Sequence, residues 1–155
     1  MSTKPNPIPE PHKGGVPYLS IDGAAKALEF YKAAFGAEEV FRMPFGDKIG
    51  HAEIRIGAAP VMMSEMGMAG APQAPAQLGG SSFSLLVYVP DVDALCARAV
   101  AAGAVVVMPL EDRFYGDRVV LLRDPFGHFW NFATHVEDVP PDELFRRAAA
   151  FQKKD

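Results

Sequence analysis

Two stretches decide the fold when set side by side: DGAAKALEFYKAAFGA at residues 22–37 and DVDALCARAVAAGA at residues 91–104. Each opens on an aspartate able to cap a helix, carries apolar residues three and four apart, and stops at a glycine. In the first, Asp22 is the expected cap, the stripe is Ala24, Ala27, Leu28, Tyr31 and Phe35, and Gly36 is the stop. In the second, Asp91 precedes Val92, Leu95, Cys96, Ala99 and Val100, and Gly103 ends the helix. Ala27-Leu28 stands 67 residues before Ala94-Leu95, and Gly36-Ala37 stands 67 before Gly103-Ala104. A fixed offset of this kind marks an internal repeat.

Strand patterns surround both helices in the same order. Residues 16–21, 38–43, 49–56 and 60–64 read as strands about the first helix, with a turn at 44–47. Residues 83–89, 104–108, 118–123 and 128–134 read as strands about the second. The turns repeat as well: Phe45-Gly46-Asp47-Lys48 matches Tyr115-Gly116-Asp117-Arg118, and Gly57 matches Gly127, both 70 apart. Each half is therefore β-α-β-β-β. The expected architecture is α+β, two βαβββ modules making one partly open, barrel-like sheet with the helices outside. A doubly wound sheet and a long helical bundle are excluded.

The expected organisation is a Pro-rich tail at 1–14, one domain at 15–137 and a C-terminal helix within 138–155. Within the domain, module 1 covers about 15–65, a Gly/Ala/Pro/Gln linker about 66–82, and module 2 about 83–137. The last helix, 141–152, is expected to pack through Leu144, Phe145 and Ala148.

Composition narrows the function classes. The chain has 155 residues, 15 Lys+Arg, 19 Asp+Glu and a net charge of −4, which argues against nucleic-acid binding. One cysteine, Cys96, excludes an internal disulfide framework and a Cys-based zinc site. No apolar stretch is long enough for a membrane span, and the first 15 residues lack the apolar core of a signal peptide. A cytoplasmic location with no membrane partner is the expectation.

The local wording resembles a known family. Ala27-Leu28-Glu29-Phe30-Tyr31, Phe35-Gly36-Ala37-Glu38 and Gly50-His51-Ala52-Glu53 are similar to the PhnB-like branch of the vicinal oxygen chelate superfamily, the glyoxalase and bleomycin-resistance type. Asp91-Val92-Asp93-Ala94-Leu95, Arg98-Ala99, Tyr115-Gly116-Asp117-Arg118 and Asp124-Pro125-Phe126-Gly127-His128-Phe129-Trp130 extend the resemblance over about 16–137. It implies a homodimer and a concave small-molecule cavity. A methyltransferase label also attached to this branch finds no support, because no glycine-rich strand-to-helix turn is present.

In metal-dependent members, each module offers one ligand from its first strand and one from its last. The resemblance places these positions near Val16 to Tyr18, at Val61 or Met62, at Ser84 and at Asn131. None is His or Glu, and Ser and Asn oxygens suit a transition metal poorly. The expected metal ligands are therefore none, and no cofactor is expected.

His51 and Glu53, two apart on a strand, share one face and are candidates for an acid–base pair. The plainer reading is a solvated face, with Arg55 neutralising Glu53 or Arg123 pairing with it across the modules. Phe114, Tyr115 and Trp130 are candidate pocket aromatics beside Asp117 and Arg118, of which Arg118 could hold an anionic group. The equal alternative is that the aromatics fill the sheet–sheet seam and the Asp117–Arg118 pair pins the turn. Asn131, Ser84 and Met62 complete the candidate ligand-binding set, and His128 reads as a turn residue. The preferred function is binding of a small apolar or aromatic molecule in the cavity without a metal. The alternative is a glyoxalase-like lyase or isomerase using a divalent metal or His51.

Overall fold

The computed structural model of the protein describes residues 4–68 and 70–151. A 3-10 turn at Glu10–His12 leads into β1 (Tyr18–Ile21), α1 (Ala24–Phe35), β2 (Glu38–Phe45), β3 (Lys48–Ile56) and β4 (Ala59–Glu65). After α2 (Pro75–Leu78) the order repeats as β5 (Ser84–Tyr88), α3 (Val92–Ala102), β6 (Val105–Asp112), β7 (Asp117–Arg123) and β8 (Phe129–His135). Helix α4 (Pro141–Phe151) follows. The fold is α+β, with two open four-stranded sheets ordered β1-β4-β3-β2 and β5-β8-β7-β6. In each, the first and last strands of the module pair in parallel and the others are antiparallel.

Alternation along the strands decides which side is core. Leu19, Ile21, Ala52, Ile54, Ile56, Val61 and Met63 are buried against the helices, as are Leu85, Val87, Val120, Leu122, Trp130 and Phe132 in the second sheet. Helices α1 and α3 pack on each other between two separate sheets, not on the outside of one barrel-like sheet as expected. The reason is that each helix covers its own module's apolar face and the two covered faces meet. Tyr31 and Phe35 of α1 reach the second module, their rings 5.3 and 5.0 Å from Trp130. The opposite face of each sheet is open and carries exposed Tyr18, Phe41, Met43, Leu86 and Tyr88.

Four local expectations are corrected. Asp22 does not cap α1; Gly23 takes the cap position at φ 91° and has no side chain to cap with. Its role passes to Glu65 at the end of β4, whose Oε1 and Oε2 accept from Gly23 N and Ala24 N at 3.0 and 2.9 Å. A carboxylate at a helix N-terminus satisfies free amides and complements the dipole, and sheet pairing brings it there from 41 residues away. The linker is not featureless, since α2 interrupts it and buries Ala74 and Pro75.

Strand β6 runs on to Asp112 rather than ending at Met108. It is a sheet edge, where Pro109 needs no ladder donor and the register shifts around it. Finally, Phe145 is exposed at 73%, so only Leu144 and Ala148 of the expected α4 contacts are half-buried. Gln152 lies outside the described residues. Among the described residues, no helix is long and apolar enough to cross a membrane.

Candidate functional sites on the open sheet faces

The open face of the second sheet carries a cavity of about 730 Å3. Its apolar lining includes Met108, Phe114, Tyr115 and Val119, with Asn131 on the sheet floor and Phe151 of α4 above. Phe114 meets Tyr115 edge-on at 5.3 Å between centroids and Phe151 at 5.6 Å. Asn131 Nδ2 donates to Ser84 Oγ at 2.7 Å across the β5–β8 ladder, leaving the amide oxygen as an acceptor. Arg147 ties α4 over this face through both Glu137 oxygens at 2.7 and 2.8 Å.

The structure thus brings Phe114, Tyr115, Asn131 and Ser84 together, and separates the other candidates. Trp130 does not line the cavity. It neighbours Asn131 on β8, so the two must point to opposite faces, and Trp130 is wholly buried on the helix side. Its Nε1 donates to Asp124 Oδ2 at 2.9 Å. Arg118 also leaves the cavity: Nε and Nη2 bind both oxygens of Asp93 on α3 at 2.7 and 2.8 Å, and Nη1 meets Asp112 at 3.0 Å. Met62 lies on the first sheet, beside Tyr18 and Glu53 in the register, within a separate cavity of about 310 Å3.

On that first face, His51 and Glu53 form part of a longer chain. Tyr18 Oη lies 2.7 Å from His51 Nδ1, His51 Nε2 lies 3.1 Å from Glu53 Oε1, and His12 Nε2 lies 3.3 Å from Glu53 Oε2. Arg55 is not the partner of Glu53; it binds Glu38 at 2.6 Å across the β2–β3 edge. Arg123, at the end of β7 in the second sheet, is not a partner of Glu53 either; His12 of the N-terminal segment is.

The second face has a related chain. Tyr88 Oη donates to Asp117 Oδ2 at 2.6 Å, and His135 Nδ1 and Nε2 meet Asp117 and Asp138 at 2.7 and 2.9 Å. The Asp117 hydrogen bond holds the Tyr88 hydroxyl above its ordinary pKa. The same carboxylate, with Asp138, raises that of His135. Sequence reasoning missed His12, Tyr18, Tyr88 and His135. The signal available was the offset of 70 itself, which relates Tyr18 to Tyr88.

His128 does sit at its turn, its backbone N–H donating to Asp124 Oδ1 at 2.9 Å, yet its ring is buried. Burial depresses its pKa, against the Asp124 charge and a Ser20 backbone contact. Cys96 is half-buried, and burial raises its thiol pKa.

Tyr18 and Met62 are register partners on the first sheet, and Ser84 and Asn131 lie on the paired strands of the second: a phenol, a thioether, a hydroxyl and an amide. Ser84 and Asn131 are bonded to each other. This donor set does not suit a zinc, iron or nickel ion. Among the described residues, no group of three His, Cys, Asp or Glu side chains is placed to hold a metal.

Comparison with known proteins identifies the family and the fold. The family described as the Glyoxalase/Bleomycin resistance protein/Dioxygenase superfamily matches residues 18–132. An uncharacterized protein of Mycobacterium tuberculosis is 42% identical over 132 residues, 83% of this chain and 78% of that one. The crystal structure of TioX from Micromonospora sp. ML1 has 31% identity and a TM-score of 0.64, covering 83% of this chain and 100% of that one. An Arabidopsis thaliana gene product has 28% identity and a TM-score of 0.64, over 78% of this chain and 98% of that one.

Proposed function

The chain belongs to the Glyoxalase/Bleomycin resistance protein/Dioxygenase superfamily, and on that premise we propose that it binds a small apolar or aromatic molecule without a resident metal. The observation that carries this is the cavity of about 730 Å3 over the second sheet. Aromatic and aliphatic walls supply the burial that holds such a ligand, and a few fixed polar groups orient it. Phe114 and Tyr115 offer perpendicular rings, and the Asn131 carbonyl, steadied by Ser84, accepts one hydrogen bond from the floor. The donor set at the family's metal positions supports binding that needs no Lewis acid.

The finer placement is the PhnB-like branch, on the motifs around His51 and Asp124. The working form is a homodimer in the cytoplasm. Exposed Tyr18, Phe41, Met43, Leu86 and Tyr88 on the open sheet faces support the dimer, since apolar surface of this extent is what a second copy covers. Light scattering on the full chain tests it, with twice the monomer mass expected.

Native mass spectrometry and elemental analysis of untagged protein test the main reading. A bound organic molecule with substoichiometric metal is expected. A stoichiometric transition metal, or protein that takes up no apolar compound, overturns it.

One observation favours a second, catalytic reading, a lyase or isomerase with His51 as acid–base. Tyr18 and Glu53 hold the two ring nitrogens of His51 from opposite sides, which fixes an imidazole for proton transfer. With a turnover in hand, His51→Ala should abolish it while leaving aromatic binding on the second face intact.

A further inference from the structure

The cavity beside Glu53 has a character of its own. Val40, Pro60 and Met62 form its sheet side, and Pro11 and His12 of the N-terminal segment form the facing wall, enclosing about 310 Å3. That wall is stiff for a chain segment: Pro7, Pro9 and Pro11 restrict the backbone, and Glu10–His12 closes into a 3-10 turn. Its side-chain link to the sheet is His12 to Glu53.

The charges around the cavity are committed, with one exception. The Arg55 guanidinium is drawn outward to Glu38 at 2.6 Å. The Glu10 carboxylate is paired with Lys13 at 2.7 Å. Glu53 alone faces no lysine or arginine among the described residues; each of its oxygens meets one imidazole, His51 on one side and His12 on the other. A carboxylate has about four acceptor sites, so two imidazoles leave capacity for further donors. The group is about three-quarters buried, its side chain 23% exposed, so a charge placed against it is screened less than in open water.

We infer that this cavity is a binding site for a small organic ammonium with an apolar body. The ammonium is held by Glu53 between His12 and His51, and the body lies against Val40, Pro60 and Met62. A carboxylate-bearing ligand of the same shape meets like charge and is rejected. The site is independent of ligand binding on the second sheet, because the two cavities share no lining residue.

The test uses the full chain and three probes of one shape: cyclohexylammonium, cyclohexanol and cyclohexanecarboxylate. Binding is followed by two-dimensional NMR of the imidazole and methionine methyl resonances. Cyclohexylammonium is expected to saturate, shifting His12, His51 and Met62, with at least tenfold higher affinity than cyclohexanol and no detectable carboxylate binding. Glu53→Gln should lower ammonium affinity at least tenfold. Met62→Trp, which fills the cavity and leaves Glu53 in place, should block both cyclohexylammonium and cyclohexanol. Equal affinities for ammonium and alcohol, an unchanged Glu53→Gln, or shifts confined to Phe114 and Tyr115 overturn the assignment. Titrating a neutral aromatic into the same sample reads the second face separately, so failure of one site is distinguishable from failure of the other.

Discussion

The Tyr31 hydroxyl on α1 of the first module donates to Asp124 Oδ2 in the second at 2.7 Å, with Tyr31 wholly buried and Asp124 only 3% exposed. Asp124 also accepts from Trp130 Nε1, Phe126 N and His128 N, each at 2.9 Å. One carboxylate thereby organises the Asp-Pro-Phe-Gly-His turn and ties the two modules together. Burial, then the Asp124 charge, drives the Tyr31 pKa well above its ordinary value, so Tyr31 stays a donor.

Tyr31→Phe removes one of four donors and should cost about 1–2 kcal/mol of unfolding free energy. Asp124→Ala strands all four and should cost at least about 3 kcal/mol. Denaturant unfolding measures both. A Tyr31→Phe chain as stable as the parent would mean that this bond does not couple the modules.

Glu65 should behave as the cap of α1. Glu65→Ala removes two charge-assisted bonds from buried amides and should cost about 2–3 kcal/mol, whereas Asp22→Ala should cost under about 0.5 kcal/mol. Paired urea melts decide this, and the reverse ranking would restore Asp22 as the cap.

Much of this was legible beforehand. The repeat offsets identify two βαβββ modules because turn glycines and helix stops are local features written in adjacent residues. The Glu65 cap was not legible, since β4 delivers it from 41 residues away. Asn131 and Trp130 are both ligand-binding candidates in the sequence, but they are neighbours on β8 and strand alternation forbids them from sharing a side; Asn131 faces the cavity and Trp130 the core. The sequence leaves Arg118 open between a ligand anion and Asp117; its actual partner Asp93 is not legible there because it sits on a different element, 25 residues earlier.

Gly116 holds the β6–β7 turn that presents Phe114 and Tyr115. Its φ is +96°, and an added Cβ would lie 2.1 Å from the Glu137 carbonyl oxygen. Gly116→Ala should therefore cost about 2–4 kcal/mol and disturb the aromatic wall. Thermal unfolding together with aromatic NMR resonances checks this; an unperturbed variant would show that the turn can move aside freely.

Two histidines should give stability opposite pH slopes. His128 has a depressed pKa in the fold, so its contribution is present above the unfolded value of about 6.5 and lost as pH falls through the folded value. His135 has a raised pKa, so its contribution is full below about 6.5 and lost as pH rises through the folded value. Against the parent, the stability deficit of His128→Gln should shrink on acidification and that of His135→Gln should shrink on going alkaline. Denaturant midpoints measured across this range check the signs, and parallel curves for parent and variants would refute them.

The central claim is that the second sheet binds an apolar or aromatic molecule without a metal. Its most direct measurement is an NMR titration of chelator-treated protein with 2-naphthol, observing Asn131 side-chain amide, Val119 methyl and Phe114 and Tyr115 ring signals. Saturable one-site shifts at those groups are predicted, unchanged by chelator and weakened at least tenfold by a combined Phe114→Ala and Tyr115→Ala change. The absence of saturation, or binding that vanishes with the chelator and returns with a divalent cation, would contradict it.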